Sequence, residues 1–262
     1  MALRRNLLLG LLPFALVVAA YLFASHQRLA ENPQDKLLPS FGQMTDAVAR
    51  LGFAPDPQNG EYVMLADTLA SLQRIGLGVG LAALAGLLSG LNMGLLGRAK
   101  ALFSPFLTFL SMVPPLAVLP ILFIALGVDE LSKVALIFLG VFPVIARDIQ
   151  LAAERVPREQ IVKAFTLGAS QFAVIYRVVM PQMLPRLIDA VRLSLGGAWL
   201  FLIAAEAIAS TEGLGYRIFL MRRYLAMDVI LPYVLWITAL GFTADWLLRW
   251  LLRSRFRWYG AA

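Results

Sequence analysis

Two carboxylates lie inside long apolar runs of this 262-residue chain: Glu206, in Ala204-Ala205-Glu206, and Asp245, four residues before Arg249. Burying a charge in an apolar medium is costly, so an ionisable residue there marks a functional or a paired position. Asp245 has an opposite charge one helical turn away and reads as structural. Glu206 has no partner nearby in sequence, which leaves two readings: a brace for the following turn through backbone N–H groups, or a lining group of an outer gate. A second constellation acts by contact. Lys163-Ala164-Phe165-Thr166-Leu167-Gly168-Ala169-Ser170, followed after nine further residues from Gly168 by Val178-Val179-Met180-Pro181, spells a short polar-faced helix, a glycine turn and a second short helix. Held at a membrane surface, such a module suits a docking knob for a soluble partner; an interfacial helix without a partner is the alternative.

Catalytic chemistry is missing. None of the four lysines, Lys36, Lys100, Lys133 and Lys163, is followed by Ser or Thr, so there is no Gly-rich phosphate-binding loop and any ATP-driven work needs another chain. No His-Glu helix motif, Gly-x-Ser-x-Gly elbow or metal-ligand cluster occurs. With no cysteine, disulfides and thiol-ligated metals are excluded. The single histidine, His26, reads as a wetted interfacial residue.

The elements that position these residues are membrane spans. Hydrophobic residues make up 60% of the chain and charged residues 15%, and a bilayer core needs about 20 consecutive apolar residues per helix. Six candidates follow: 6–24, 69–96, 102–126, 134–146 (extendable to 131–147), 187–209 and 229–252. All must be helical, because in lipid the backbone satisfies its own hydrogen bonds. With the N-terminus inside, 15 of the 23 basic residues fall on one side and 8 on the other. That partition puts both termini in the cytoplasm and makes the net charge of +7 a topology signal rather than a nucleic-acid footprint. Read as a cleaved signal peptide, Arg4-Arg5 with 7–24 would leave five spans and reverse the C-terminal arginines.

Between the first two spans, 25–68 is the only sizeable exterior segment. It holds Pro33, Pro39, Pro55, Pro57 and a Gln58-Asn59-Gly60 turn signal, and Phe41, Met44, Val48 and Leu51 predict a short amphipathic helix within it. The second span carries Gly76, Gly80, Gly86, Gly90 and Gly94, small residues that let helix backbones approach. The third contains Met112-Val113-Pro114-Pro115 and Pro120, which predict a kink and a helix along a pathway. In the loop at 157–185, Pro157 suits a first helical turn, Gly168 a left-handed helix end and Ser170 the next cap. An outside turn at 210–216 precedes a second surface helix at 216–225, and the arginines of 253–259 alternate with Phe256, Trp258 and Tyr259 as at a cytoplasmic membrane edge.

The 163–181 spacing resembles the loop of bacterial ABC-importer permeases whose pattern is Glu-Ala-Ala, three residues, Gly, nine residues, Ile, one residue, Leu-Pro. Ala164, Gly168 and Pro181 stand in register, Val178 and Met180 replace Ile and Leu, and Val162 and Lys163 depart from the first two positions. Val113-Pro114-Pro115-Leu116-Ala117 through Pro120, Leu131-Ser132-Lys133, Ala198-Trp199 through Glu206, and Gly213-Leu214-Gly215-Tyr216 resemble the nitrate, sulfonate and taurine branch, from about residue 69 onward. The resemblance implies an all-α, six-span type I ABC importer permease, a single domain over 1–262 in a bacterial inner membrane, with a periplasmic loop at 25–68. Its implied partners are a second permease copy, two ABC ATPases docked on 157–185 through Lys163, Ala164, Phe165, Gly168, Ala169 and Pro181, and an external substrate-binding protein. ATP and Mg would be bound by the ATPases, with no cofactor or metal in this chain. Met112, Pro114, Pro115, Trp199 and Glu206 are expected along the solute pathway of an alternating-access cycle. Asp35-Lys36-Leu37-Leu38-Pro39-Ser40 and Arg223-Tyr224-Leu225-Ala226-Met227-Asp228 are similar to permeases associated with urea carboxylase and guanidine breakdown, implying a guanidine- or urea-like solute beside nitrate, sulfonate or taurine. An ion-gradient transporter usually repeats its broken helices in both halves, and here one proline-broken span has no match; a channel or scaffold subunit is the other alternative.

Overall fold

The structure is a computed structural model that describes residues 2–33, 35–57 and 60–259, with side chains from Gly10 onward. Gln58 and Asn59 of the expected turn lie outside the described residues, while Gly60 has a φ of +73°. The elements are α1 (Ala2–Glu31), α2 (Phe41–Phe53), α3 (Val63–Leu95), α4 (Gly97–Met112), α5 (Pro115–Leu126), α6 (Glu130–Glu154), α7 (Arg158–Thr166), α8 (Gln171–Ala173), a π-helical turn (Val174–Val179), α9 (Met180–Ile208), α10 (Leu214–Arg222) and α11 (Met227–Arg255). Five helical stretches are long and apolar enough to cross a membrane, or six if α4 and α5 count as one broken span. The chain forms two compact units, Met1–Asp67 with Arg217–Ile237, and Thr68–Tyr216 with Thr238–Ala262.

In the first unit, polar groups pin the segment after α1. Tyr21 Oη donates to Pro39 O at 2.6 Å and Ser25 Oγ to Leu38 O at 2.9 Å. The expected amphipathic helix is α2. Its capping box pairs Gln43 N with Ser40 Oγ and Ser40 N with Gln43 Oε1, satisfying two otherwise orphaned donors. Met44 and Ala47 are its buried residues. The wholly buried Asp67 accepts the Arg217 guanidinium at 2.8 and 3.3 Å and Tyr233 Oη at 3.0 Å. Such a carboxylate is tolerated in an apolar setting because its charge is paired and its lone pairs are used.

The second unit is built on α6 and α9, which pack along each other. Leu136 of α6, Leu119 and Leu122 of α5 and Ala205 of α9 form one cluster, and Met93, Leu107 and Ala146 join α3, α4 and α6 in another. Between spans there is no hydrophobic driving force, so association rests on close packing. The glycines of α3 supply it, in a register that differs from the expected one. A Cβ on Gly86, Gly90 or Gly94 would come within 2.7 Å of α6 atoms, and Gly78 joins them against Ile137. Gly76 and Gly80 instead face open space. Spacing grouped Gly76 and Gly80 with the three that pack and left out Gly78; the rotation of α3 against α6 makes the selection.

The third span departs most from expectation. It is two helices, α4 and α5, bent by 98°, rather than one kinked helix. Pro114 and Pro115 are adjacent, so both Val113 and Pro114 precede a proline and are pushed out of the helical region, to φ −74°, ψ 121° and φ −65°, ψ 116°. One proline bends a helix; two in succession end it. Pro120 is accommodated inside α5.

Candidate functional site

The loop after α6 has the predicted local chemistry. Pro157 is the N-cap of α7, one residue before the first turn in which it was expected, and α7 ends in a paired glycine cap. Gly168, at φ +84°, donates its N–H to Phe165 O at 2.9 Å, and Ala169 N–H returns to Ala164 O at 3.0 Å. Those two bonds satisfy carbonyls that the helix end leaves open and require a left-handed residue at 168. Ser170 Oγ then accepts Ala173 N–H at 3.2 Å and caps α8. The π-helical turn buries Val174, Ile175 and Val179 and leads into α9, where Pro181 occupies the first turn.

No residue of α7 is buried. Val162, Phe165, Leu167 and Phe172 are exposed, Leu167 by 86%, and Lys163 is exposed beside them. A groove of about 530 Å³ runs along Arg158, Val162, Lys163, Thr166 and Leu167. Gln182 Nε2 donates to Gln160 Oε1 at 3.1 Å, tying the knob to the base of α9. An exposed cluster of Val162, Phe165, Leu167 and Phe172 has the character of a protein contact surface.

The expected pathway residues separate into two groups. Met112, exposed by 74%, stands with exposed Pro114 and half-buried Pro115 at the break between α4 and α5. Trp199 and Glu206 lie on α9, seven residues or about 10 Å apart along the axis, and both are buried. Trp199 packs near Gly241, and its Nε1 has no hydrogen-bond partner among the described residues. The break is therefore exposed, whereas the α9 pair faces protein.

Glu206 is the centre of a network that sequence reading missed. Its Oε1 accepts Ser71 Oγ at 2.7 Å and Arg74 Nη1 at 2.8 Å, and its Oε2 accepts Gly215 N–H at 2.8 Å. Ser71 Oγ in turn accepts Leu214 N–H at 2.9 Å, and Arg74 Nη1 donates to Glu212 O at 2.8 Å. Arg74 Nη2 donates to Glu130 Oε1 at 2.7 Å, and Lys133 Nζ reaches the same oxygen at 2.8 Å. Two cations thus balance Glu206 and Glu130, with the Glu212 carboxylate 3.8 Å from Arg74. Arg74, Lys133 and Glu206 are all buried. Of the two readings left open for Glu206, this geometry is that of the brace: it grips the 210–216 turn by two backbone N–H groups, one directly and one through Ser71. Gly213, at φ +124°, lets the turn lie against Glu206 where an added Cβ would stand 2.5 Å from its carboxyl group. The available signal was Arg74 itself, a lone cation in an apolar run, since charges in such runs pair with one another. Asp245 keeps its predicted partner, Arg249, at 2.7 Å and gains Arg192 at 2.9 Å.

Residues 78–257 match the family described as binding-protein-dependent transport system inner membrane component. The chain is 37% identical over 191 residues to the taurine transport system permease protein TauC of Escherichia coli, covering 73% of this chain and 70% of that one. It is 32% identical over 196 residues to the bicarbonate transport system permease protein CmpB of Synechococcus elongatus, covering 72% and 69%. Its fold is similar to that of a chain of the MetNI methionine ABC transporter solved in inward-facing conformations, with a TM-score of 0.64 at 16% identity over 73% of this chain and 95% of that chain.

Proposed function

The chain belongs to the family of binding-protein-dependent transport system inner membrane components, and from that premise we propose that it forms, as a homodimer with two ATPase subunits, the passage through which a small solute is imported by alternating access. It is a multi-pass ABC importer permease of the taurine, sulfonate, nitrate and bicarbonate type, a transport protein rather than a catalyst. In this reading the ATPases bind ATP and Mg, a binding protein delivers the solute from outside, and both termini are cytoplasmic. Guanidine- or urea-like compounds, nitrate, sulfonates and taurine are the candidate solutes. The observation that carries the reading is the α7 knob: a helix without a buried residue, ended by Gly168 and presenting Val162, Phe165 and Leu167.

Lys163, Ala164, Phe165, Gly168, Ala169 and Pro181 are assigned to coupling. Movement of the ATPases pushes on α7, the cap at Gly168 fixes the angle between α7 and α8, and the π-turn carries the displacement into α9. The Glu206 brace keeps the outer ends of α3, α6 and α9 together, and the α4–α5 break with Met112, Pro114 and Pro115 forms the wall that the solute passes. Gly168→Asp tests this directly. A non-glycine residue in the left-handed region costs about 1–2 kcal/mol, and the new carboxylate enters an apolar contact unpaired. Membrane insertion and dimer formation should persist while ATPase co-purification, or hydrolysis stimulated by the loaded binding protein, falls. Association and stimulated hydrolysis both at the parent level would remove α7 as the coupling element.

A further inference from the structure

Lys100, Ser104, Thr108 and Ser111 recur at helical spacing on one face of α4. Between that face and α6 lies a groove of about 480 Å³ walled by Thr108, Ser111, Pro143, Val144, Arg147 and Asp148. A wider hollow of about 640 Å³ runs along the same stripe from Lys100 through Thr108 to Met112. The track is therefore continuous with the α4–α5 break. Arg147 stands seven residues before the end of α6, about 10 Å along the helix. Arg147 closes the expected 131–147 span, and its exposed side chain lines the groove; a charge there is stable against water rather than lipid.

The charges around the groove do not cancel. Asp148 is held by Arg186, whose Nε donates to Oδ2 at 2.7 Å while Nη2 donates to Oδ1. Glu154 is taken by Lys100 at 3.0 Å and also lies within the field of Arg147. Arg147 donates from Nη1 to Ser104 Oγ at 3.3 Å and to Gln150 Oε1 at 3.1 Å. Its Nε and Nη2 have no partner among the described residues. Lys100, Arg147 and Arg186 face only Asp148 and Glu154, which leaves a net charge of +1, and the unused planar donors of Arg147 suit two oxygens of an oxyanion.

Resting on the permease reading, we propose that this groove is an inner solute subsite that takes a small oxyanion, a sulfonate or carboxylate-like group, with Arg147 as its specificity-determining residue. A guanidinium solute, which the sequence resemblance implied, meets net positive charge here and is disfavoured.

The test uses the permease purified with its ATPase subunits in phosphatidylcholine nanodiscs. Methanesulfonate, bicarbonate and, at equal ionic strength, tetramethylammonium are titrated while tryptophan emission follows the unfolding midpoint. A saturable rise with either oxyanion and none with the cation is expected. Arg147→Gln should raise the half-saturating concentration about tenfold or more, and Arg147→Lys by less. Arg98→Gln, an exposed arginine outside the groove, should leave it unchanged. The proposal is overturned by a parent that shows no saturable oxyanion effect, by an equal response to the cation, by an effect that survives Arg147→Gln, or by a response to added phosphatidylglycerol alone. If the ATPase fails to co-purify with the parent, the permease reading itself fails; if it co-purifies and the oxyanions do nothing, only the subsite does.

Discussion

Removing the Glu206 side chain is the severest single test of its network. In Glu206→Ala, Arg74 keeps Glu130 but loses its only wholly buried anion, and the Ser71 hydroxyl and Gly215 N–H lose their acceptor. Each buried donor left open costs about 1–3 kcal/mol, and breaking a buried ion pair from one side costs about 3–5 kcal/mol in all. Glu206→Gln keeps the volume, yet both carboxylate oxygens accept from donors, so the amide nitrogen faces an N–H or O–H whichever way it is turned. Its expected cost is about 1.5–3 kcal/mol, the worth of a hydrogen bond to a charged group. Arg74→Met combined with Glu206→Leu removes both charges and leaves Glu130 to Lys133, which is already 2.8 Å away. The double variant should therefore be more stable than the sum of its single changes by about 1–3 kcal/mol. Unfolding in mixed micelles, followed by tryptophan emission, gives all four corners of this cycle. A Glu206→Ala cost below about 1 kcal/mol, or single costs that add within about 0.5 kcal/mol, would refute the brace.

Three further expectations are simpler. Gly90→Ala places a Cβ 2.6 Å from the Ala146 carbonyl oxygen and should destabilise by about 1–3 kcal/mol, whereas Gly80→Ala, with nothing within 4 Å, should stabilise by up to about 1 kcal/mol; equal effects in a paired unfolding measurement would mean that α3 is rotated otherwise. Thr45→Cys on α2 should be labelled by an impermeant thiol reagent in intact cells and Ser254→Cys should not, and the opposite pattern would invert the topology. Asp67→Asn should cost about 1.5–3 kcal/mol by weakening the Arg217 fork and the Tyr233 bond, and it should leave ATPase co-purification at the parent level.

What was legible in the sequence depended on neighbours along the chain. The spans could be read because lipid forces the backbone to close its own hydrogen bonds within one segment. Even so, α3 begins at Val63 rather than 69, and α6 at Glu130, one residue before the extended 131–147, because Asp67, Glu130 and Lys133 lower the apolar count at those ends while finding partners in three dimensions. The α7–α8 connection was legible for the same local reason. A left-handed glycine at 168 and a capping serine at 170 settle their hydrogen bonds within a few residues, and the bend at Pro114-Pro115 was foreseeable in place though not in its 98° extent.

Glu206 shows where that reach ends. Its sequence neighbours are apolar, and its partners Ser71 and Arg74 lie 135 and 132 residues away. Which glycines of α3 touch α6, and which hydroxyls of α4 share a groove with Arg147, depend likewise on the rotation of one helix against another. The sequence by itself determined which segments are helical and which loop projects, because propensity, capping and hydropathy act over a few residues. Only the tertiary structure decided which charges cancel and which stay open, because a buried charge is stable only beside the opposite charge that packing of distant helices brings to it.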